Sequence, residues 1–156
     1  MNTIHQIVKD GIAVEPVYKK KRGIVLARRV GNLVFVSGHG PEHALTGEPL
    51  FRGRIGEELT PEEGYQAARE CAIILLGALR DLLGDLDHID HFVKAFGLVN
   101  CGKDFHEVDK IMDGFSDTIA DVLEERGYHA RTVMGTRNLP NNNIPVEIEI
   151  IVAVRD

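Results

Sequence analysis

The sequence predicts an α+β sandwich, one mixed β-sheet with two helices packed on one face, in the order β-β-(β)-α-β-α-β-β. Three observations carry that expectation. Two long segments repeat apolar side chains every three or four positions, which gives a helix one buried stripe. Short runs rich in Val, Ile and Phe surround them and read as strands. The last run, Val146 to Val154, is apolar on both of its sides, so its sheet needs the helices on one face and a second cover on the other.

With 156 residues, 44% of them apolar, the chain is expected to form one domain over 1–156. Residues 1–22 read as an N-terminal arm: Pro16 breaks any helix there, and Lys19-Lys20-Lys21-Arg22 reads as a solvated basic run. Residues 24–30 and 32–38 then form a hairpin around Gly31-Asn32, with Leu33 and Phe35 on one face and Val34 and Val36 on the other. Ser37-Gly38-His39-Gly40-Pro41 ends it in a glycine-rich corner, and a short strand is expected around 49–55 after the Thr46-Gly47 turn. Thr60-Pro61-Glu62-Glu63 starts the first helix, with Thr60 as N-cap, Pro61 at the first position and Glu63 closing a capping box. Its stripe is Tyr65, Ala68, Ala72, Leu75, Leu79 and Leu82, and Gly84 offers the C-cap.

A strand over 91–100 follows, and Asp104 with Glu107 repeats the capping-box logic for the second helix. Its stripe runs Val108, Ile111, Phe115, Ile119, Val122, with Gly127 at its end. Residues 129–137 and 145–154 read as the final strands, with Asn141-Asn142-Asn143 as the loop between them. An oligomer interface is the simplest cover for the sheet face that two helices leave bare.

Composition excludes several functions. A net charge of −6 argues against nucleic acid, whose phosphates are held by clustered Lys and Arg. No run is long and apolar enough for a leader or a membrane span, so the expectation is a cytoplasmic protein without a membrane partner. Cys71 and Cys101 read as buried reduced thiols. His39 and His43 lack a third ligand at recognisable spacing, so no metal is expected.

The C-terminal strands carry the chemistry. Arg131, Glu147 and Glu149 are charges in segments that otherwise read as strand, where an unpaired charge is costly. A strand arginine often serves a structural ion pair, here with Glu147 or Glu149. Aimed into a cleft, its planar fork instead grips a carboxylate or phosphate through two parallel hydrogen bonds. If 130–137 and 146–153 pair as a simple hairpin, Glu147 sits near Thr136, about 16 Å along the strand from Arg131. Either the two strands are not hairpin partners, or the cleft combines residues of neighbouring chains.

Gly31-Asn32-Leu33-Val34-Phe35-Val36-Ser37-Gly38, the helix after Thr60-Pro61-Glu62-Glu63, and Ala130-Arg131-Thr132 followed by Leu139-Pro140 and Val146-Glu147-Ile148-Glu149 resemble the YjgF/RidA family over roughly 24–154. The resemblance implies a chorismate-mutase-like homotrimer with three clefts between subunits. In its best-understood branch it implies hydrolysis of enamines and imines such as 2-aminoacrylate, with no cofactor. It also carries the older labels of L-PSP endoribonuclease and translation inhibitor. Position by position, it implies that Arg131 binds the substrate carboxylate, that Glu147 stands near the attacking water, and that Gly38 lies at the ligand-contacting strand end. His39 and His129 are expected to line the cleft. Asp109 stands where many relatives have Asn, a position that helix capping or solvation also explains.

The chain departs from the deaminase pattern at two cleft positions. Ile24 replaces a tyrosine and Val133 a cysteine, which removes polar groups from the substrate-binding set. The loop from Pro140 to Glu147 is also one residue longer. The expected function is therefore an enamine/imine deaminase-like hydrolase of a small carboxylate. The alternative is a trimer that binds 2-oxo acids without turnover; an endoribonuclease ranks last.

Overall fold

The computed structural model describes residues 22–156, so the expected arm lies outside it apart from Arg22. Its main elements are β1 (Ala27–Val30), β2 (Leu33–His39), α1 (Pro61–Leu83), β3 (Ile89–Asn100), α2 (Val108–Leu123), β4 (Ala130–Thr136) and β5 (Val146–Val154). The strand expected near 49–55 does not form. That segment makes only isolated bridges, Glu42 with Pro49 and Ile55 with Leu59 and Cys101, because Gly53 and Gly56 take positive φ and break the extended run.

Helix α1 begins as its sequence predicts. Glu63 N–H donates to Thr60 Oγ1 (3.2 Å), and Thr60 N–H donates to Glu63 Oε2 (2.8 Å). Gly84 ends it at φ +82°, its N–H donating to the Arg80 carbonyl. Ala68, Ala72, Leu75 and Leu79 are buried, while Leu82 in the last turn is exposed. The second capping box fails. Glu107 occupies the N-cap position of α2 without a side-chain cap, because its carboxylate pairs with Lys110 three residues on. The helix stops at Leu123, before Gly127: Glu124 turns to φ +54° and the chain tightens into a 3-10 turn, Glu124–Gly127.

The sheet order is β1-β2-β5-β3-β4. All neighbours are antiparallel except β3 and β4, which run parallel. β4 and β5 are therefore not hairpin partners, since β3 lies between them. The loop at 140–143 carries the chain over the end of β3, where Asn100 Nδ2 donates to Asn143 Oδ1 (2.8 Å) and to the Ile144 carbonyl (3.1 Å). Asn141, Asn142 and Asn143 all take positive φ, a conformation that Asn tolerates better than most residues.

Both helices pack on one face of this sheet. The buried cluster joins Leu75, Leu79, Phe115 and Ile119 from the helices to Val34, Phe92, Ala95, Ile148, Ile150 and Val152 from the strands. The two helices approach backbone to backbone at Gly114, where any Cβ would collide with the Tyr65 carbonyl. On the opposite face Phe35 and Met134 are 45% and 52% exposed, with Phe96, Leu98 and Ile151 half-buried between them. Nothing among the described residues covers that apolar surface. Among the described residues no helix is long and apolar enough to cross a membrane.

Candidate functional site

Arg131 lies on edge strand β4 opposite Ala95, a buried residue of the helix-covered face, and so points toward α2. Its Nη1 donates to Asp113 Oδ1 (2.9 Å) and to Ser116 Oγ (3.0 Å), and Nη2 reaches the Asp109 carbonyl at 3.4 Å. The ion-pair partner is thus Asp113, not Glu147 or Glu149. The Arg131 side chain is 24% exposed and that of Asp113 47%, so this pair stands at the rim of the covered face with solvent beside it. Val133, two residues on, shares the face and packs against the core.

Glu147 stands on the other face. Its backbone pairs with Leu98, while Glu149 pairs with Phe96, and all four side chains line a hollow of about 210 Å³ together with Gly38. A Cβ at Gly38 would stand 3.0 Å from Glu147 Oε1, so glycine is what keeps this strand end open beside the carboxylate. Three residues along β3 and two strand spacings separate Arg131 from Glu147, about 14 Å between backbone positions. Their side chains leave the sheet in opposite directions.

The remaining expected residues divide as well. Ile24, just before β1, is exposed near the end of β2, where Ser37 Oγ donates to the Val25 carbonyl (2.7 Å). His39 does not line an accessible cleft in the single chain. An irregularity in the β2–β5 pairing between Val36 and His39 turns it inward, where it is 1% exposed and its Nδ1 meets the Ser37 carbonyl at 2.6 Å. His43 belongs to a different hollow, beside Glu42 and Glu70 on α1. Among the described residues no three His, Cys, Asp or Glu side chains converge as metal ligands.

His129 does stand near Arg131. Its ring packs against Phe92 and, edge-on, against Phe115, with centroids 6.2 and 5.5 Å away. Burial is the main force lowering its pKa; a hydrogen bond to the Gly127 carbonyl opposes the shift, and the Arg131 charge adds to it. Ser116, His129 and Arg131 share a cleft of about 370 Å³. Sequence reasoning missed Asp113 and Ser116. The signal was present, since Asp109, Asp113 and Ser116 recur at i, i+4 and i+7 and form a polar line beside the apolar stripe of α2.

A family model described as "YjgF/chorismate mutase-like, putative endoribonuclease" matches residues 21–151. Protein TCP17 of Trypanosoma cruzi is 35% identical over 127 residues, which are 81% of this chain and 78% of that protein. The crystal structure of Atu1372 from Agrobacterium tumefaciens, of unknown function, superimposes with a TM-score of 0.87 at 31% identity, covering 97% of this chain and 93% of that one. TdcF of E. coli, solved with bound serine, has the same fold at a TM-score of 0.61 and 20% identity, over 92% of this chain and 94% of its own. With that match running from before β1 into β5, and with the sheet order and both helices in place, the chain belongs to the YjgF/chorismate-mutase-like family, the same family as YjgF/RidA.

Proposed function

We propose that the protein hydrolyses small enamines or imines bearing a carboxylate, in clefts formed between the subunits of a homotrimer. The observation that carries this reading is the separation of Arg131 from Glu147. A carboxylate anchor on the edge strand and a carboxylate-glycine hollow on the bare sheet face cannot share one chain's pocket, but they meet if the edge of one copy lies across the bare face of the next. The same contact covers the apolar surface around Phe35 and Met134.

The chemistry asks little of such a cleft. Arg131 takes the ligand carboxylate in its fork. An enamine first takes a proton at carbon to become the imine. Glu147 of the neighbouring copy then orients a water, accepts its proton as the oxygen adds to the C=N carbon and returns that proton to the nitrogen, so the C–N bond breaks as the C=O bond forms and ammonia leaves a 2-oxo acid. Asp113 must release Arg131 first. A half-exposed ion pair is worth only about 0–1 kcal/mol, less than a bidentate pair in a closed cleft, so the exchange favours the ligand.

The purified protein should accelerate loss of 2-aminoacrylate generated by a dehydratase, and Arg131→Ala should abolish the acceleration. No acceleration by the wild type overturns the hydrolase reading. A second reading, binding without turnover, is favoured by Ile24 and Val133, which supply no proton donor. It predicts that 2-oxo acids raise the melting temperature while turnover is absent. The endoribonuclease in the family description ranks third, because the net charge is −6 and the bare face carries Glu147 and Glu149 where RNA phosphates would need Lys and Arg.

A further inference from the structure

We propose that Ser116 and His129 form a second reactive site, a serine nucleophile with its general base, that accepts small acyl groups from esters. The hydrogen bonds have one consistent direction. His129 Nδ1 lies 2.6 Å from the Gly127 carbonyl, which can only accept, so Nδ1 carries the proton and Nε2 of the neutral ring is an acceptor. Ser116 Oγ, 3.1 Å from Nε2, therefore donates to it. Arg131 Nη1 donates to the same oxygen from 3.0 Å. A hydroxyl that gives its proton to imidazole while a guanidinium faces its lone pair is arranged to lose that proton, and the nearby cation stabilises the alkoxide character that develops.

The surroundings hold this arrangement in place. Phe92 and Phe115 pack on the imidazole, and burial lowers its pKa and so favours the neutral ring, whose Nε2 can accept a proton. Asp113 shares Arg131 Nη1 with Ser116 from 2.9 Å and holds the guanidinium in place, while Asp117 is occupied by Tyr65 OH (2.8 Å). The cleft over Ser116 is walled by Ala120, Gly127 and Tyr128, and its volume of about 370 Å³ suits a short acyl chain rather than a long one. This site uses the Nη1 side of Arg131 and requires neither Glu147 nor a neighbouring copy.

In the proposed reaction Ser116 Oγ attacks the ester carbonyl as its proton passes to His129 Nε2. The bond from carbon to the leaving oxygen breaks, and that oxygen takes the proton from His129. Water, deprotonated in turn by His129, then attacks the acyl-serine, releases the acid and restores the hydroxyl.

The test treats the full chain with a small alkyl fluorophosphonate and locates the adduct by mass spectrometry. Ser116 should be the labelled residue, Ser116→Ala should give no adduct, and His129→Gln should slow labelling by about 100-fold, the lower end of general-base contributions. Because His129 packs on two aromatic rings, a second arm keeps the ring: in Ser116→Cys the new thiol should react with iodoacetamide at least about 10-fold faster at pH 7 than an ordinary cysteine. An absence of label at Ser116, labelling indifferent to His129, or an ordinary rate for Ser116→Cys overturns the proposal. None of these outcomes bears on 2-aminoacrylate turnover, so the two readings fail separately.

Discussion

The two faces of the sheet are made by the same five strands, yet they are built to different standards. On the covered face Val34, Ile148, Ile150 and Val152 interlock with Leu75, Leu79, Phe115 and Ile119, and the helices approach so closely at Gly114 that no side chain fits. On the bare face Phe35, Phe96, Leu98 and Met134 lie among Glu147, Glu149 and Lys94, with Phe35 and Met134 exposed and Phe96 and Leu98 half-buried. One face is a finished core, while the other is an apolar surface interrupted by charge. The two proposed site residues divide between them: Arg131 stands where the covered face ends, and Glu147 stands within the bare one.

The largest effect should come from the covered face. Phe115 is fully buried and holds His129 edge-on, so Phe115→Ala removes its transfer free energy and leaves a cavity between α2 and β3. A loss of about 3–5 kcal/mol is expected in chemical denaturation. A loss under about 1 kcal/mol would mean that the covered face repacks freely and is no stiffer than the other.

The bare face should respond in the opposite way. Phe35→Glu with Met134→Glu alters two of its most exposed apolar residues and replaces no buried side chain. Unfolding of the single chain should shift by no more than about 0.5 kcal/mol per site. Light scattering should nevertheless report loss of association, because two charges would be buried without partners in any interface formed there. Unchanged association would remove the cover proposed for this face.

How much of this contrast was legible in the sequence depends on the range of the forces involved. Thr60, Glu63 and Gly84 act within a few residues of themselves, and α1 begins and ends where they place it. Alternation along β5 assigned Ile148 and Ile150 to one side and Glu147 and Glu149 to the other without reference to any other strand. Glu107 misled because its rival, Lys110, is equally local and bears the opposite charge. The strand expected at 49–55 fails because Gly53 and Gly56 take positive φ, which breaks the extended run. Strand order was out of reach: β4 and β5 are consecutive, and only tertiary pairing inserts β3 between them. For the same reason Arg131 stood out as a charge in a strand, but its partners Asp113 and Ser116 were not named.

The smallest effect sharpens the comparison at the rim, where the covered face meets water. Burial lowers the pKa of His129 in the folded chain, so the unfolded chain binds its proton more readily. The stability this contributes is fully present above the unfolded value, about 6.5, and is lost as pH falls through the folded value. His129→Phe retains an aromatic ring against Phe92 and Phe115 but cannot titrate. Melting curves from pH 7.5 downward should therefore show the wild type losing stability faster than His129→Phe, with the gap closing above pH 7. Parallel losses in both proteins would mean that solvent reaches the imidazole freely, which would move His129 and the Arg131 cluster beside it from the covered face to the exposed surface.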